Sequence, residues 1–276
     1  MDIEKLKQKA QTIREDMLKM LAKAGSGHTA GSLGMIDILV ALYFAPAGGQ
    51  VGILKHDPKN PDWEDRDRVI YSHGHTCPAL YTVMAEIGYF AKSDLDTLRK
   101  FGSSLQGHPH KEWLKGIETS SGPLGSGLSQ AVGMAIAEKI DNSASDKNFY
   151  CLMSDGELQE GQVWEALMLG GYKKLNNLIA LIDRNNIQIS GKTEDVLGLE
   201  PLRDKFEAFN WDVIEIDGHD YEQLIGAFET AKNIKDKPVV IIAHTIPGKG
   251  FPEFENNYEW HGKAPSQEMV DKILNK

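Results

Sequence analysis

The chain has 276 residues, 41% hydrophobic and 25% charged, which suffices for one large α/β domain or two small ones with a filled core. Its 30 basic and 40 acidic side chains give a formal charge of −10, which argues against nucleic acid or an anionic membrane as partner, because phosphate-rich surfaces select a basic footprint. A phosphorylated small ligand remains compatible, since helix N-termini or a divalent cation can hold it locally.

In chain order, Ile3, Leu6, Ala10, Ile13, Met17 and Leu21 recur at helical spacing and predict an amphipathic helix stopped by Gly25 and Gly27. This opening segment mixes both charge signs without an apolar run, so no signal peptide is expected. A second, apolar helix is expected over 35–44, closed by Pro46 and Gly48-Gly49; Asp37 and its short length argue against a membrane span. Cys77 and Cys151 are too few for a disulfide framework and read as free thiols, so a cytoplasmic location is expected.

Five short runs, 68–71, 149–153, 178–182, 212–216 and 239–243, are rich in β-branched and aromatic residues and lack in/out alternation, as strands buried on both faces do. Helical stretches over 126–140, 162–172 and 221–233 separate them. The order predicts an α/β fold, a parallel sheet flanked by helices. Each run ends in polar or glycine residues: Ser72-His73-Gly74-His75, Ser154-Asp155-Gly156, Asp183-Arg184-Asn185-Asn186, Asp217-Gly218-His219 and His244-Thr245. In a parallel sheet these endings share one edge, where open α/β folds bind ligands.

Asp155 and Asn185 lie one strand–helix–strand unit apart, so they can meet at neighbouring strand ends. A carboxylate, an amide oxygen and a nearby backbone carbonyl suit Mg²⁺, with Gly156 admitting a diphosphate to the backbone and a helix starting near Glu157 aiming its N–H groups at it. Spacing alone fits this site or a pair of turn-forming dipeptides. The loop Ser120-Ser121-Gly122-Pro123-Leu124-Gly125-Ser126-Gly127 matches neither a P-loop nor a dinucleotide fingerprint and fits a ligand cradle or a plain turn into the next helix. His28, His73, His75, His108, His110 and His261 sit among small or turn residues, a setting suited to proton transfer or phosphate contact. The alternation of His73, His75 and Cys77 leaves a zinc site open. His56 and His219 are expected to be isolated surface histidines. Lys249 fits a phosphate contact or an exposed turn lysine. Glu157 and Glu160 fit a helix-dipole role, or for Glu160 a subunit interface.

Taken in order, these motifs resemble the N-terminal half of transketolase, a thiamine-diphosphate enzyme family. The resemblance runs through Ser26-Gly27-His28, Arg66-Asp67-Arg68 with Ser72-His73-Gly74-His75, Gly107-His108-Pro109, the stretch 118–139 and Ser154-Asp155-Gly156 with Asn185-Asn186. It implies a thiamine-diphosphate-binding fold, with 1–276 as a single diphosphate-binding domain and 246–276 as an extension contributing His261. It implies that Asp155, Asn185 and the Ile187 carbonyl hold Mg²⁺, or Ca²⁺ or Mn²⁺ in its place. Gly156, His75 and His261 would contact the diphosphate, the backbone of Gly122 and Leu124 the aminopyrimidine, and Ile189 the thiazolium. His28, His75, His108 and His261 would act on substrate and protons, and Glu160 would lie at a subunit interface. Thr29-Ala30, His73 and Ser154 depart from the family pattern, the first two in the substrate pocket.

Full transketolases are roughly twice as long, and their second half supplies the glutamate that activates the cofactor. The resemblance therefore implies the N-terminal subunit of a split transketolase, expected to be inactive without a separate C-terminal subunit. Together, with a second copy of each in a heterotetramer-like assembly, they would transfer a two-carbon ketol group from a ketose phosphate to an aldose phosphate. Two other readings stay open: a subunit of another thiamine-diphosphate-dependent ketol or acyl transferase with a specialised donor, and a nucleotide- or metal-binding module.

Overall fold

The computed structural model describes residues 2–46 and 52–275. Helix α1 (Ile3–Ala24) forms where its spacing predicts: the Asp2 side chain caps the Glu4 amide, and Gly25 ends it in the left-handed conformation at φ 63°. Its stripe of Leu6, Ala10, Ile13, Met17 and Leu21 is fully buried. Helix α2 (Ala30–Phe44) begins at Ala30 rather than at residue 35. Its Gly31, Ser32 and Gly34 are poor helix formers, but all are buried, and packing between α1 and α3 (Cys77–Ile87) overrides propensity. The expected stop at Gly48-Gly49 lies outside the described residues.

The five anticipated strands are β1 (Arg68–Tyr71), β2 (Phe149–Ser154), β3 (Leu178–Arg184), β6 (Asp212–Asp217) and β7 (Val239–His244). They form one parallel sheet in the order β1-β2-β3-β7-β6. A two-stranded hairpin, β4 (Ile187–Gln188) with β5 (Gly191–Lys192), follows β3 and leads into α6 (Thr193–Val196). Strands β2 and β3 are buried throughout, whereas β6, read as covered on both faces, is partly exposed because it forms an edge of the sheet.

Alternate residues of the strands feed two cores. Tyr150, Leu152, Ile179, Leu181, Val239 and Ile241 pack toward α1, α2, α3, α8 (Tyr221–Asn233) and α9 (Gln267–Leu274). Ile70, Cys151, Met153, Ala180, Ile182 and Val240 pack toward α4 (Ser126–Asp141), α5 (Gly161–Tyr172) and α7 (Leu202–Ala208). Burying both faces is what allows these strands to read as continuous apolar runs. Among the described residues, no helix is long and apolar enough to cross a membrane.

One charged cluster crosses the first core. Asp37 of α2 accepts hydrogen bonds from Arg14 (2.5 Å), His219 Nδ1 (2.8 Å) and the Tyr221 hydroxyl (2.9 Å). His219 Nε2 accepts from the Ile246 amide at 2.8 Å, which leaves the proton on Nδ1. His219 is thus a buried link between α2 and the segment after β7, not the isolated surface residue its sequence context suggests. His56 is also no isolated surface group: it is half-buried, with its Nδ1 3.2 Å from the Tyr89 hydroxyl and Nε2 3.4 Å from the Tyr43 carbonyl.

Burial alone would push the Asp37 carboxyl up, but the His219 hydrogen bond and the Arg14 charge outweigh it and hold it below the ordinary carboxylate range. A depressed native pKa means that this contribution is complete above the unfolded value and is lost as pH falls through the native one. Asp37→Asn is expected to lose about 3 kcal/mol or more in urea unfolding at neutral pH, because it strands buried Arg14 without its counter-charge. Its stability curve should also be flatter than wild type below about pH 4, where wild type protonates.

Candidate functional site

The carboxyl ends of β1, β2 and β3 carry the residues singled out from sequence. Asp155 follows β2 and is fully buried; its amide donates to the Asp183 carbonyl at 3.1 Å. Its Oδ2 accepts from the Asn186 amide (2.7 Å) and Arg184 Nη1 (3.0 Å), and its Oδ1 from the Gly156 amide (2.7 Å). Burial pushes this carboxyl up against the opposing Arg184 charge and backbone amides. Asn185 Oδ1 accepts from the Ile187 amide at 3.0 Å, while its Nδ2 donates to Asp183 at 2.7 Å. Asp155 and Asn185 are therefore brought together at adjacent strand ends. Arg184 also reaches Glu194 (2.6 Å) and Glu200 (3.0 Å), tying the segment beyond the β4–β5 hairpin to Asp155.

The helix expected to begin near Glu157 is not there. A single 3₁₀ turn, Gly156–Gln159, follows Asp155, and α5 starts at Gly161. The reason is Glu157 itself, whose side chain is buried instead of lying along a helix end. It accepts from Ser72 Oγ, from the Gly125 amide at 2.6 Å and from the Ser154 amide at 3.4 Å. Ser72 in turn accepts from the Gly127 amide at 3.2 Å. One carboxylate thus joins the end of β1, the end of β2 and the glycine-rich loop. Side chains at Gly74 and Gly127 would overlap Ser121 and Ser72, so glycine is what permits this approach.

The histidines arrive from separate loops. The rings of His28 and His75 lie 5.1 Å apart between centroids, His28 and His261 5.6 Å, and His75 and His261 5.1 Å. His108 is more exposed and stands over Gly122, where an added Cβ would meet its ring at 3.9 Å. The segment bearing His261 is fixed by Thr29 Oγ1 donating to the Lys263 carbonyl (2.5 Å) and by the Gly248 amide donating to the Ala30 carbonyl (2.8 Å). Burial, then the charges of His261, Arg99 and His108, lower His28 to about 4. Burial likewise holds His75, His108 and His261 down. Near neutral pH the cluster is a set of uncharged imidazoles, each offering one donor and one acceptor. His28 Nδ1 and Ser121 Oγ are buried with no protein partner.

His73, His75 and Cys77 do not form a zinc set: among the described residues no group of three His, Cys, Asp or Glu side chains is arranged to hold a metal ion, and Cys77 Sγ instead donates to the Gly107 carbonyl at 3.3 Å. Burial pushes its thiol up to about 12. His73 is fully buried, edge-on to Tyr71 with ring centroids 4.6 Å apart. Of the remaining candidates, Ile187 is buried, Ile189 is 74% exposed, and Glu160 is exposed at the start of α5. The Leu124 carbonyl accepts from Gln162 Nε2 at 3.0 Å. Lys249 lines a groove with Lys7, Asp217, Asp220 and Glu222.

Sequence reading misses the structural weight of Glu157, Ser72, Arg184 and Arg99. For Arg184 the only signal is its place inside Asp183-Arg184-Asn185. For Glu157 and Ser72, 85 residues apart, no local signal exists. Because His28 titrates at about 4 in the native state and near 6.5 when unfolded, the unfolded chain takes up a proton first on acidification. Stability should therefore decline as pH falls from about 6.5 to about 4. Denaturation midpoints across that range should show a shallower decline for His28→Asn.

Comparison with known proteins places this arrangement. Residues 5–276 match the family described as "Transketolase, thiamine diphosphate binding domain". The chain is 40% identical over 274 residues to an apulose-4-phosphate transketolase subunit from Phocaeicola vulgatus, covering 99% of this chain and 94% of that one. It is 42% identical over 264 residues to the 6-deoxy-6-sulfo-D-fructose transketolase subunit SqwG of a Clostridium species, covering 96% and 93%. The crystal structure of Campylobacter jejuni transketolase superimposes with a TM-score of 0.91 at 39% identity, covering 100% of this chain but 43% of that one. The Leishmania mexicana transketolase structure gives 0.89 at 33% identity, covering 99% and 41%. The chain thus spans about two-fifths of the solved transketolases and nearly the whole of the two subunits. Its parallel sheet, strand-end motifs and match over 5–276 make it a member of the transketolase thiamine diphosphate binding domain family.

Proposed function

We propose that the chain is the N-terminal, diphosphate-binding subunit of a split transketolase, working with a separate C-terminal subunit to move a two-carbon ketol group from a ketose to an aldose. The observation that carries this reading is the convergence of His28, His75 and His261 beside the strand ends that hold Asp155 and Asn185.

The residues present fit a thiamine diphosphate–metal pair. Asp155 and Asn185 offer hard oxygen donors, as Mg²⁺, Ca²⁺ or Mn²⁺ requires. Among the described residues no group of three or more His, Cys, Asp and Glu side chains is arranged to enclose a metal alone. An ion at Asp155 would take further oxygen ligands from Asn185, the Ile187 carbonyl, the diphosphate and water. Arg184 and the Asn186 amide favour the ionised form of Asp155. The unpartnered His28 Nδ1 and Ser121 Oγ, beside Gly122 without a side chain, leave unsatisfied polar atoms where a ligand is to lie.

When bound, thiamine diphosphate supplies the nucleophilic carbon that carries the ketol unit. This chain's part is to hold and orient. His75, His261 and the Gly156 backbone would contact the diphosphate, Gly122 and Leu124 would border the aminopyrimidine, and exposed Ile189 would cover the thiazolium. His28, His108 and His261, kept neutral by burial, hydrogen-bond substrate hydroxyl and carbonyl oxygens and pass protons at their ring nitrogens. Residues 1–276 act as one domain, and the extension 246–276 exists to deliver His261. Glu160 faces a second copy in a heterotetramer-like assembly, and two buried free thiols fit a reducing, cytoplasmic compartment.

The names of the subunit relatives favour a specialised donor. One names apulose 4-phosphate and another 6-deoxy-6-sulfo-D-fructose, both carrying an anionic end. A donor ketose with a terminal phosphate or sulfonate is the substrate class we assign.

Purified chain alone should show no ketol transfer and gain it on addition of a C-terminal transketolase subunit; turnover without that subunit overturns the split reading. In the assembled complex, Asp155→Ala should weaken Mg²⁺-dependent thiamine diphosphate binding by calorimetry at least about tenfold, since loss of even a hydrogen-bond partner behind a metal ligand costs that much. Unchanged affinity would refute the metal assignment.

A further inference from the structure

Asp155 is assigned to a divalent ion, yet the chain itself already supplies it with a counter-charge. Its Oδ2 accepts from Arg184 Nη1 at 3.0 Å and from the Asn186 amide at 2.7 Å, which fills both lone pairs of that oxygen. Its Oδ1 accepts from the Gly156 amide at 2.7 Å and, among the described residues, keeps one lone pair for an ion. Both partners of this pair are out of water, Asp155 fully and Arg184 at 3% exposure. The guanidinium is also held from behind. Its Nη2 donates to Glu194 at 2.6 Å and to Glu200 at 3.0 Å, and those carboxylates are fixed in turn by the amides of Leu199 (3.0 Å) and Leu202 (2.8 Å). Glu194 and Glu200 stand partly in water, so solvent screens their charges, whereas Arg184 Nη1 faces Asp155 in the interior. The other buried carboxyl nearby, Asp183, is turned to Thr245 Oγ1 and to Asn185 Nδ2.

We propose that Arg184 is a resident counter-cation that makes loading of a divalent ion at Asp155 conditional on the diphosphate. This deepens the reading given under Proposed function and rests on it. A bare ion at Asp155 meets a carboxylate whose charge is already balanced, and it sets its own two positive charges against a guanidinium that cannot swing away. At short range in a buried site that repulsion is poorly screened. The diphosphate brings the negative charge that Arg184 withholds, so ion and diphosphate are held together far better than the ion alone. Without Arg184, Asp155 would be a buried, uncompensated carboxylate that takes a bare cation readily. Arg184 touches neither substrate nor cofactor in this scheme; it is a positioning residue, acting through Asp155.

Binding of Mn²⁺, as a stand-in for Mg²⁺, is measured on the full chain by equilibrium dialysis, with and without inorganic pyrophosphate, at matched free Mn²⁺. In wild type, pyrophosphate should tighten Mn²⁺ binding at least about tenfold, the order expected from a charge interaction at this range. Equal binding with and without pyrophosphate overturns the proposal, and this arm needs no variant. Arg184→Gln keeps a donor for Asp155 while removing the charge, and a cooperative melting transition verifies its fold. It should bind bare Mn²⁺ at least about tenfold more tightly than wild type and respond less to pyrophosphate, whereas Arg184→Lys, which keeps the charge, should follow wild type. Unchanged or weaker bare binding in Arg184→Gln makes Arg184 only a structural support of Asp155 and overturns the proposal. Absence of Mn²⁺ binding in wild type even with pyrophosphate is a separate outcome: it defeats the metal assignment on which the proposal rests.

Discussion

Glu157 is the point on which the geometry of the site depends. A carboxylate taken fully out of water is costly unless its oxygens are met by donors. Here Ser72 Oγ and the amides of Gly125 and Ser154 meet them, and these three groups come from three chain segments. Satisfying one buried charge therefore fixes the end of β1 against the end of β2 and both against the glycine-rich loop. At about 1.5–3 kcal/mol for each hydrogen bond to a charged group, the arrangement tolerates little displacement. His75 inherits its place from the first of those segments, Asp155 from the second and Gly122 from the third.

A second buried carboxylate does similar work on the other flank. Asp37 gathers Arg14, His219 and Tyr221, and His219 passes the constraint to the Ile246 amide, where the chain turns toward His261. Both clusters place polar groups inside apolar cores, where meeting every donor and acceptor leaves each segment one position. This precision costs desolvation, and the same desolvation keeps the site histidines uncharged. Neutral imidazoles suit a site that must both accept and donate protons.

Much of this architecture is legible in the sequence. The run 68–71 is β1 to the residue, and Tyr221–Asn233 is α8 to the residue, because period and turn chemistry agree with the packing there. The pairing of Asp155 with Asn185 follows from one strand–helix–strand unit between them, and the parallel sheet brings them together. The misreadings have one physical source. Ala30 to Gly34 reads as loop, Glu157 as a helix-dipole complement, and His219 as a surface residue, because each is decided by a distant neighbour rather than by adjacent sequence.

The sequence by itself determined the alternation of strands and helices, the common edge on which the polar motifs fall and the family to which they belong, since these depend on periodicity and on short motifs. Tertiary structure decided which histidines meet, that they are neutral, that Glu157 is a hub and that Arg184 pairs with Asp155. Those properties depend on burial and on contacts across tens of residues, and neither is encoded in local spacing.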